Sequence, residues 1–256
     1  MAEWHIDPVF IAENWTDENK KRHIRSLVVQ DVYEHNEQVG ITLGARYDDY
    51  DDVGSSTSPR IAGVYRFSSE HIFKAQYAQA FRPPTFNELW NSTAATIEPE
   101  TIDTYELGYI HRKLNTVDRI TLYNSKLKKL IISDGLIGFT NLDEVELHGI
   151  EIESERRLND WLKLNANLSR NSAENTLTGA DVEGAAKWLA NAGLLAELKP
   201  GLTLAADYRY VGERKREAVD PRQPLESYQT VDVTVSASLN GIKGLSLRVG
   251  VKNIFD

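Results

Sequence analysis

The stretch Gln76-Tyr-Ala-Gln-Ala-Phe-Arg-Pro-Pro-Thr-Phe-Asn-Glu-Leu-Trp90 decides how the rest of this 256-residue chain is read. From Phe73 to Phe81 aromatic and polar residues alternate, the period of two that sends successive side chains to opposite faces of a strand. The strand must stop at Arg82-Pro83-Pro84, because proline has no N–H to give to a ladder. A run rich in Thr, Asn, Glu, Ser and Ala follows to Pro99-Glu100, and alternation resumes in Thr104-Tyr-Glu-Leu-Gly-Tyr-Ile-His111. The spacing predicts a long strand, a rigid Pro-Pro edge, a large loop and a descending strand.

The same grammar runs outward in both directions. Val39, Ile41, Leu43, Ala45 and Tyr47 alternate with Gly40, Thr42, Gly44, Arg46 and Asp48. Strands are expected near Arg25–Glu34, Arg60–Phe67, Ile72–Phe81, Thr104–Arg112, Asp118–Ile132, Val145–Glu155, Trp161–Arg170, Trp188–Leu198, Leu202–Val211, Tyr228–Leu239 and Leu245–Val251. With Val39–Tyr47 that makes about twelve, many near the ~9–11 residues that a tilted membrane-spanning strand requires. Short breaks such as His35–Glu37, Ser68–Glu70, Lys113–Thr116, Arg157–Asp160, Lys199-Pro-Gly201 and Asn240–Gly244 alternate with long polar links over 48–59, 82–103, 133–144, 171–187 and 212–227. The Pro-Gly of the fifth break suits a type II turn. Residues 1–23, with Trp4, Phe10 and Trp15 among charged neighbours and a charge run over 17–22, read as a loop.

Tight turns at one end and long loops at the other are the asymmetry of an outer-membrane barrel. Asp207, Arg209 and Lys163 share the polar phase of their strands, and a basic residue facing lipid at mid-bilayer costs roughly 2–4 kcal/mol. They belong on a wet face. Tyr47, Phe67, Phe81, Tyr208, Tyr210 and Tyr228 fall near strand ends, where interfacial rings are favoured; ordinary β-propensity accounts for some of them.

Composition narrows the function classes. Lys and Arg number 29 against 38 Asp and Glu, a net charge of −9 that argues against nucleic acid as a partner. There is no cysteine, which excludes disulfides and thiol chemistry from this stretch. No run of about 20 apolar residues offers a transmembrane helix. No nucleophile elbow, phosphate loop or dinucleotide fingerprint occurs. His5, His23, His35, His71, His111 and His148 are scattered singly, so no catalytic set, cofactor or metal centre is expected. Asp48-Asp-Tyr-Asp-Asp52 offers oxygens to calcium but lacks the spacing and turn glycine of an EF-hand loop. Glu213-Arg-Lys-Arg-Glu217 reads as a solvated mixed-charge loop.

Ala78-Gln-Ala-Phe-Arg-Pro-Pro-Thr-Phe-Asn-Glu-Leu89, then Glu98-Pro-Glu100, then Thr104-Tyr-Glu-Leu-Gly108 resembles the barrel signature of TonB-dependent outer-membrane receptors. Leu147-His-Gly-Ile-Glu-Ile-Glu153 is similar to the family's Gly-Val-Glu strand, and Val251-Lys-Asn-Ile-Phe-Asp256 to its Asn-Leu-Phe-Asp. The pieces come in the family's order, and the resemblance covers about Ile24 to Asp256. It implies an all-β, antiparallel up-and-down transmembrane β-barrel, here a partial one, with short periplasmic turns and long extracellular loops. It further implies active uptake of a scarce chelate (ferric siderophore, haem or cobalamin) driven by TonB, in contact with outer-membrane lipid and lipopolysaccharide, and no enzyme activity.

On the resemblance, Phe81, Arg82, Pro84, Phe86, Glu88, Leu89, Pro99, Glu100, Glu106, Gly108, Gly149, Glu151, Asn253, Phe255 and Asp256 carry the family motif. Arg82, Phe86, Asn87 and Trp90 sit on the loop after the Pro-Pro edge, with an aromatic and hydrogen-bonding mix suited to a chelate. A framework role for Arg82 and Glu88 is the competing reading, because motifs shared by receptors for unlike ligands should not select the ligand. Nothing in the sequence resembles the plug domain, TonB box, leader or final strand, and twelve strands fall short of the family's twenty-two. An open sheet leaves two unpaired edges that lipid does not tolerate. Two other classes stay open: a non-transporting outer-membrane barrel (porin or adhesin), and a soluble all-β binding protein. A hydrolase on a barrel would need a Ser–His pair on the rim, which no spacing suggests.

Overall fold

The computed structural model describes residues 3–5, 10–11, 21–92, 96–133, 138–216, 220–238 and 245–255. The strands are β1 (Glu3–His5), β2 (Phe10–Ile11), β3 (Arg22–Glu34), β4 (Val39–Tyr50), β5 (Gly54–Arg66), β6 (His71–Arg82), β7 (Glu100–Lys113), β8 (Thr116–Ser133), β9 (Phe139–Arg157), β10 (Leu162–Asn175), β11 (Trp188–Lys199), β12 (Leu202–Val211), β13 (Tyr228–Ser238) and β14 (Ser246–Val251), with one short helix, α1 (Phe86–Trp90). From β3 to β14 every strand pairs antiparallel with its successor in sequence, in one sheet. The twelve long strands expected from the sequence are these. At the other end β1 and β2 both pair with β3, so the described residues of the expected N-terminal loop extend the sheet. Trp15, residues 17–20, the turn over 240–244 and Asp256 lie outside the described residues.

Cross-strand register shows why the sheet is two-faced. Directly opposed residues share a face, so the row Gly63, Ala75, Leu107, Leu122 and Ile150 lies on one side of β5 to β9. The row Leu164, Leu194, Ala206 and Val233 continues that side on β10 to β13. The opposite face carries Gln76, Glu106 and Tyr123 in one row and Asn167, Asn191 and Arg209 in another. Leu43, Ile61, Tyr65, Phe73, Tyr105, Leu107 and Leu122 are all exposed. The accessible surface is 17806 Å², against about 11,000 Å² for a compact monomer of 28.9 kDa. Among the described residues no second layer covers the apolar face. This is the wall of an up-and-down transmembrane β-barrel, unclosed between its first and last strands.

Two expected loops are strand instead. Asp48–Ser56, Asp49–Ser55 and Tyr50–Gly54 pair across β4 and β5, which shrinks the 48–59 link to residues 51–53, closed by Gly54 at φ 82°. Likewise β8 and β9 pair out to Ser133–Phe139, leaving only 134–138 of the 133–144 link. Both segments look like loops because they are polar. Beyond the bilayer a ladder needs no apolar face, and backbone hydrogen bonds hold polar residues as readily as apolar ones. The Lys199-Pro-Gly201 break is a turn as read, with Gly201 at φ 78°. Of the expected boundary aromatics, Tyr47, Tyr208 and Tyr210 lie on the apolar face, whereas Tyr228 opposes Val211 on the polar one, 5.7 Å beneath the Arg214 guanidinium.

Two motif glycines on the polar face make unequal demands. Tyr123 lies opposite Gly149, and a Cβ there would come within 2.6 Å of both the Tyr123 hydroxyl and the Arg170 carbonyl. At Gly108 the nearest atom would be Lys74 Cβ at 3.6 Å, an ordinary contact. Gly149→Ala is therefore expected to destabilise by about 1–3 kcal/mol through overpacking. Gly108→Ala should be neutral or gain ~0.4–1 kcal/mol from a stiffer unfolded chain. Urea unfolding in detergent micelles compares them, and equal midpoints would refute the packing account.

Candidate functional site

The site is built where β6 ends. Pro83 and Pro84 break the ladder, and Thr85 caps the one-turn α1: its hydroxyl accepts from the Glu88 N–H (3.3 Å), and the Glu88 carboxylate accepts from the Thr85 N–H (2.7 Å). Thr85-x-x-Glu88 is thus a reciprocal capping box. The helix was not anticipated, although this signature stands in the sequence. Pro84 is fully buried, and Glu88 is 9% exposed.

Arg82 clasps the base of this loop. It donates to Glu88 through Nη1 (3.1 Å) and Nη2 (3.0 Å), and to Glu100 through Nη2 (2.7 Å) and Nε. Four of its five N–H groups are thereby engaged. Glu100 also accepts from the Ile131 N–H (2.7 Å), which ties the clasp to β8. Burial pushes the Glu88 carboxyl up, but hydrogen bonds from Arg82 and the Thr85 backbone outweigh it and hold the group below its ordinary range. The carboxylates keep the Arg82 guanidinium firmly charged.

A second arginine, absent from the sequence reading, braces the outside. Arg22 donates to the Pro84 carbonyl (2.8 Å), pairs with Asp52 (2.7 Å) and lies 5.0 Å over the Phe86 ring. No periodic signal marks it, since its role depends on the start of β3 meeting the loop that follows β6, three strands along the sheet. The far side of the loop is sewn to the β8–β9 extension. Asn141 accepts from the Glu98 N–H (2.8 Å) and donates to the Glu98 carbonyl (2.9 Å), while Lys129 reaches the Glu98 carboxylate (2.8 Å). The Phe139 N–H donates to the Asn91 carbonyl at 2.9 Å. Four of the six buried hydrophobic residues among the described ones lie toward this end: Ile97 in the loop, with Ile131, Val145 and Ala173 in the long-loop halves of β8 to β10.

The four candidate ligand residues divide by geometry. Arg82 and Phe86 are held in the frame just described. Asn87 and Trp90 are exposed on α1, Trp90 at 63%, and Asn87 accepts from the Asn91 side chain (2.7 Å). The other motif residues are spread over the sheet. Leu89 and Pro99 are half-buried in the loop. Glu106 accepts from Gln76 on the polar face, and Glu151 opposes Ser169 and Thr121 there. Asn253 turns the chain at φ 51° after β14, with its N–H on Asp232 (2.9 Å), and Phe255 is exposed.

Two further loops meet at the same end. Asp181, from the β10–β11 link, pairs with Lys187 (3.0 Å) and with Lys215 of the β12–β13 link (2.6 Å), and the Gly184 N–H donates to the Lys215 carbonyl (2.9 Å). Within the acidic run over 48–52, Asp48 pairs with Arg46 and accepts from Ser26, Asp51 accepts from the His23 N–H, and Asp52 pairs with Arg22. At the opposite, short-turn end the reading of singly scattered histidines needs correction. His71 and His111 are directly opposed across β6 and β7, and with Glu70 they form a group able to hold a metal ion. Their register is set through the 83–99 loop, whose path the sequence does not give.

Comparison with known proteins agrees with this architecture. A family model described as TonB dependent receptor-like, beta-barrel, matches residues 6–254. The chain is 28% identical over 230 residues to the vitamin B12 transporter BtuB of Photobacterium profundum, covering 82% of this chain and 36% of that protein. It is 26% identical over 250 residues to the ferrioxamine B receptor of Salmonella typhimurium, covering 84% and 34%. It thus spans about a third of the length of these relatives. Among solved structures, the ferric enterobactin receptor of Pseudomonas aeruginosa superimposes with a TM-score of 0.80 at 22% identity, over 93% of this chain and 40% of that one. The siderophore receptor PirA of the same organism gives 0.78 over 100% and 47%, also at 22% identity, and these likenesses speak for the fold. An up-and-down antiparallel sheet, apolar on one side and polar on the other and matched over residues 6–254 by one family model, places the chain in the TonB-dependent receptor β-barrel family.

Proposed function

We propose that this chain is a stretch of the barrel wall of a bacterial outer-membrane receptor that imports a scarce nutrient chelate, with energy delivered through TonB. The observation that carries the reading is the fixed loop end. The loop over 83–99 is capped, clasped and sewn to its neighbour, and the loops after β10 and β12 are pinned through Asp181. Loop segments tied in this way over a wet face suit capture of a bulky polar ligand, since preorganisation lowers the ordering cost of binding. The apolar face would meet lipid, with phospholipid at the short-turn end and lipopolysaccharide around the loops. The β14 edge, and the part of the β3 edge that β1 and β2 leave unpaired among the described residues, would pair with further wall strands. The protein acts as a receptor and carries no catalytic role.

Of the loop residues, Asn87 and Trp90 are proposed to touch the ligand, with Arg82 and Phe86 framing them. The cargo class is a ferric siderophore, haem or cobalamin. The relatives' names point to vitamin B12 for one and ferrioxamine B for another. Outer membranes from cells expressing the protein should bind cyanocobalamin or ferrioxamine B saturably, and uptake should vanish without TonB. Trp90→Ala should weaken that binding by about tenfold, or roughly 1.4 kcal/mol, with little change in folded yield. Uptake that persists without TonB would favour a porin. A protein that stays in buffer without detergent would favour the soluble binding class.

A further inference from the structure

We propose that Glu70, His71 and His111 form a binding site for a divalent transition metal, zinc first, at the short-turn end of the sheet. One donor atom from each of the three lies within 4.8 Å of the other two. Tetrahedral zinc bonds of about 2.0–2.1 Å place donors roughly 3.4 Å apart, so small rotations of side chains that are not fully buried close the set. Two imidazoles and one carboxylate favour zinc, copper or nickel over calcium and magnesium, which select all-oxygen sites.

The backbone holds all three in place. His71 and His111 are directly opposed across the ladder, with ring centroids 5.0 Å apart and planes at 19°. The Ser68 hydroxyl accepts from the N–H groups of Glu70 (3.2 Å) and His71 (3.1 Å), and the Glu70 carbonyl accepts from the Arg112 N–H (2.8 Å). The turn therefore delivers Glu70 to the strand that carries His111.

Outer partners also orient the rings. His71 Nδ1 lies 2.7 Å from the Tyr109 hydroxyl, and His111 Nδ1 faces Asp118 at 3.6 Å. Asp118 is itself anchored by Arg156 at 2.7 Å. With the proton of each ring on Nδ1, directed at these oxygens, Nε2 of each ring would be left for a cation, as in the carboxylate–histidine–metal arrangement. Lys113 competes for Glu70, but at 3.9 Å and with both side chains about half exposed it is readily displaced. A bound ion would pin the turn at 68–70 to β7, next to the β7–β8 turn.

The purified chain, stripped with chelator and held in detergent, is titrated with zinc chloride by calorimetry. One saturable site per chain is expected. His71→Ala and His111→Ala should each weaken it by more than the ~10–100-fold that loss of an outer partner produces. Asp118→Asn should fall within that range, and His35→Ala and His148→Ala should bind as the parent does. Because a histidine variant could unfold the turn, the unaltered protein is also loaded with one equivalent of copper(II). Its electron paramagnetic resonance spectrum should show coupling to two imidazole nitrogens. Absence of saturable zinc binding, undiminished binding in the double histidine variant, or a copper spectrum without nitrogen coupling would each overturn the site.

Discussion

Leu122→Arg is expected to destabilise the barrel by about 2–4 kcal/mol, the cost of a basic side chain at the bilayer midplane. Thr121→Arg, one residue away, is expected to change stability by less than about 0.5 kcal/mol, as surface substitutions usually do. The contrast follows from register alone. Leu122 stands between Leu107 and Ile150 on the apolar face. On β8 that face is narrow, with Ile120 and Leu122 set between Asp118 below and Asn124 above, so Leu122 lies near its middle. Thr121 stands between Gly108 and Glu151 on the polar face, where an arginine finds water and a carboxylate. Urea unfolding in phospholipid vesicles, followed by tryptophan fluorescence, reads both variants. Repeating it in a zwitterionic detergent with a thin micelle should shrink the Leu122→Arg penalty, because the side chain then reaches water. Equal costs for the two would mean that the apolar face is not lipid-facing, and a soluble assembly through that face would become the better reading.

What the sequence disclosed depended on how locally each feature is encoded. Strand phase is written every second residue, so the faces of β4, β10, β12 and β13 could be assigned before any coordinates. Short turns fix their own register, which is why Lys199-Pro-Gly201 was readable as a turn. Polarity misled at 48–59 and 133–144, since composition reports the surroundings of a strand rather than its hydrogen bonding. The capping box at Thr85 and Glu88 is legible, but the proline break before it and the polar run after it read as loop. Arg22 on Pro84, Asn141 on Glu98 and the facing pair His71 and His111 were not legible. Each joins residues at least 40 positions apart, through the path of a loop or the order of strands, which no local pattern specifies. Arg82 was legible as important and ambiguous in role, and its four hydrogen bonds now supply a structural use for it.

That use sets the second large effect. Arg82→Ala removes two hydrogen bonds from Glu88 and two from Glu100, and leaves the two carboxylates, with side chains 12% and 14% exposed, without the cation between them. A buried acceptor that loses its partner costs about 1–3 kcal/mol, more when charged. Arg82 is 43% exposed, so solvent screens part of the pairing and about 2 kcal/mol is the appropriate scale. That is roughly a thirtyfold rise in loop opening. The loss should be local, because β6 and β7 stay paired below the clasp from Phe81–Thr101 to His71–His111. Amide exchange at Glu88 and Ile131 should accelerate, while amides at Leu107 and Leu122 keep their protection. Arg82→Lys should recover little, since a point charge cannot reproduce a forked contact with two carboxylates. The acid response gives an independent check. Glu88 titrates below its ordinary value of 4.5 in the folded protein, so its contribution is complete above that pH and is lost as pH falls through the lowered value. In Arg82→Ala the burial that pushes Glu88 up is opposed by Thr85 alone, so protonation of Glu88 relieves the variant: its excess loop opening over the parent should be largest near neutral pH and should narrow as pH falls. Unchanged exchange at Glu88 and Ile131 in Arg82→Ala would free the guanidinium from the frame and return it to the ligand.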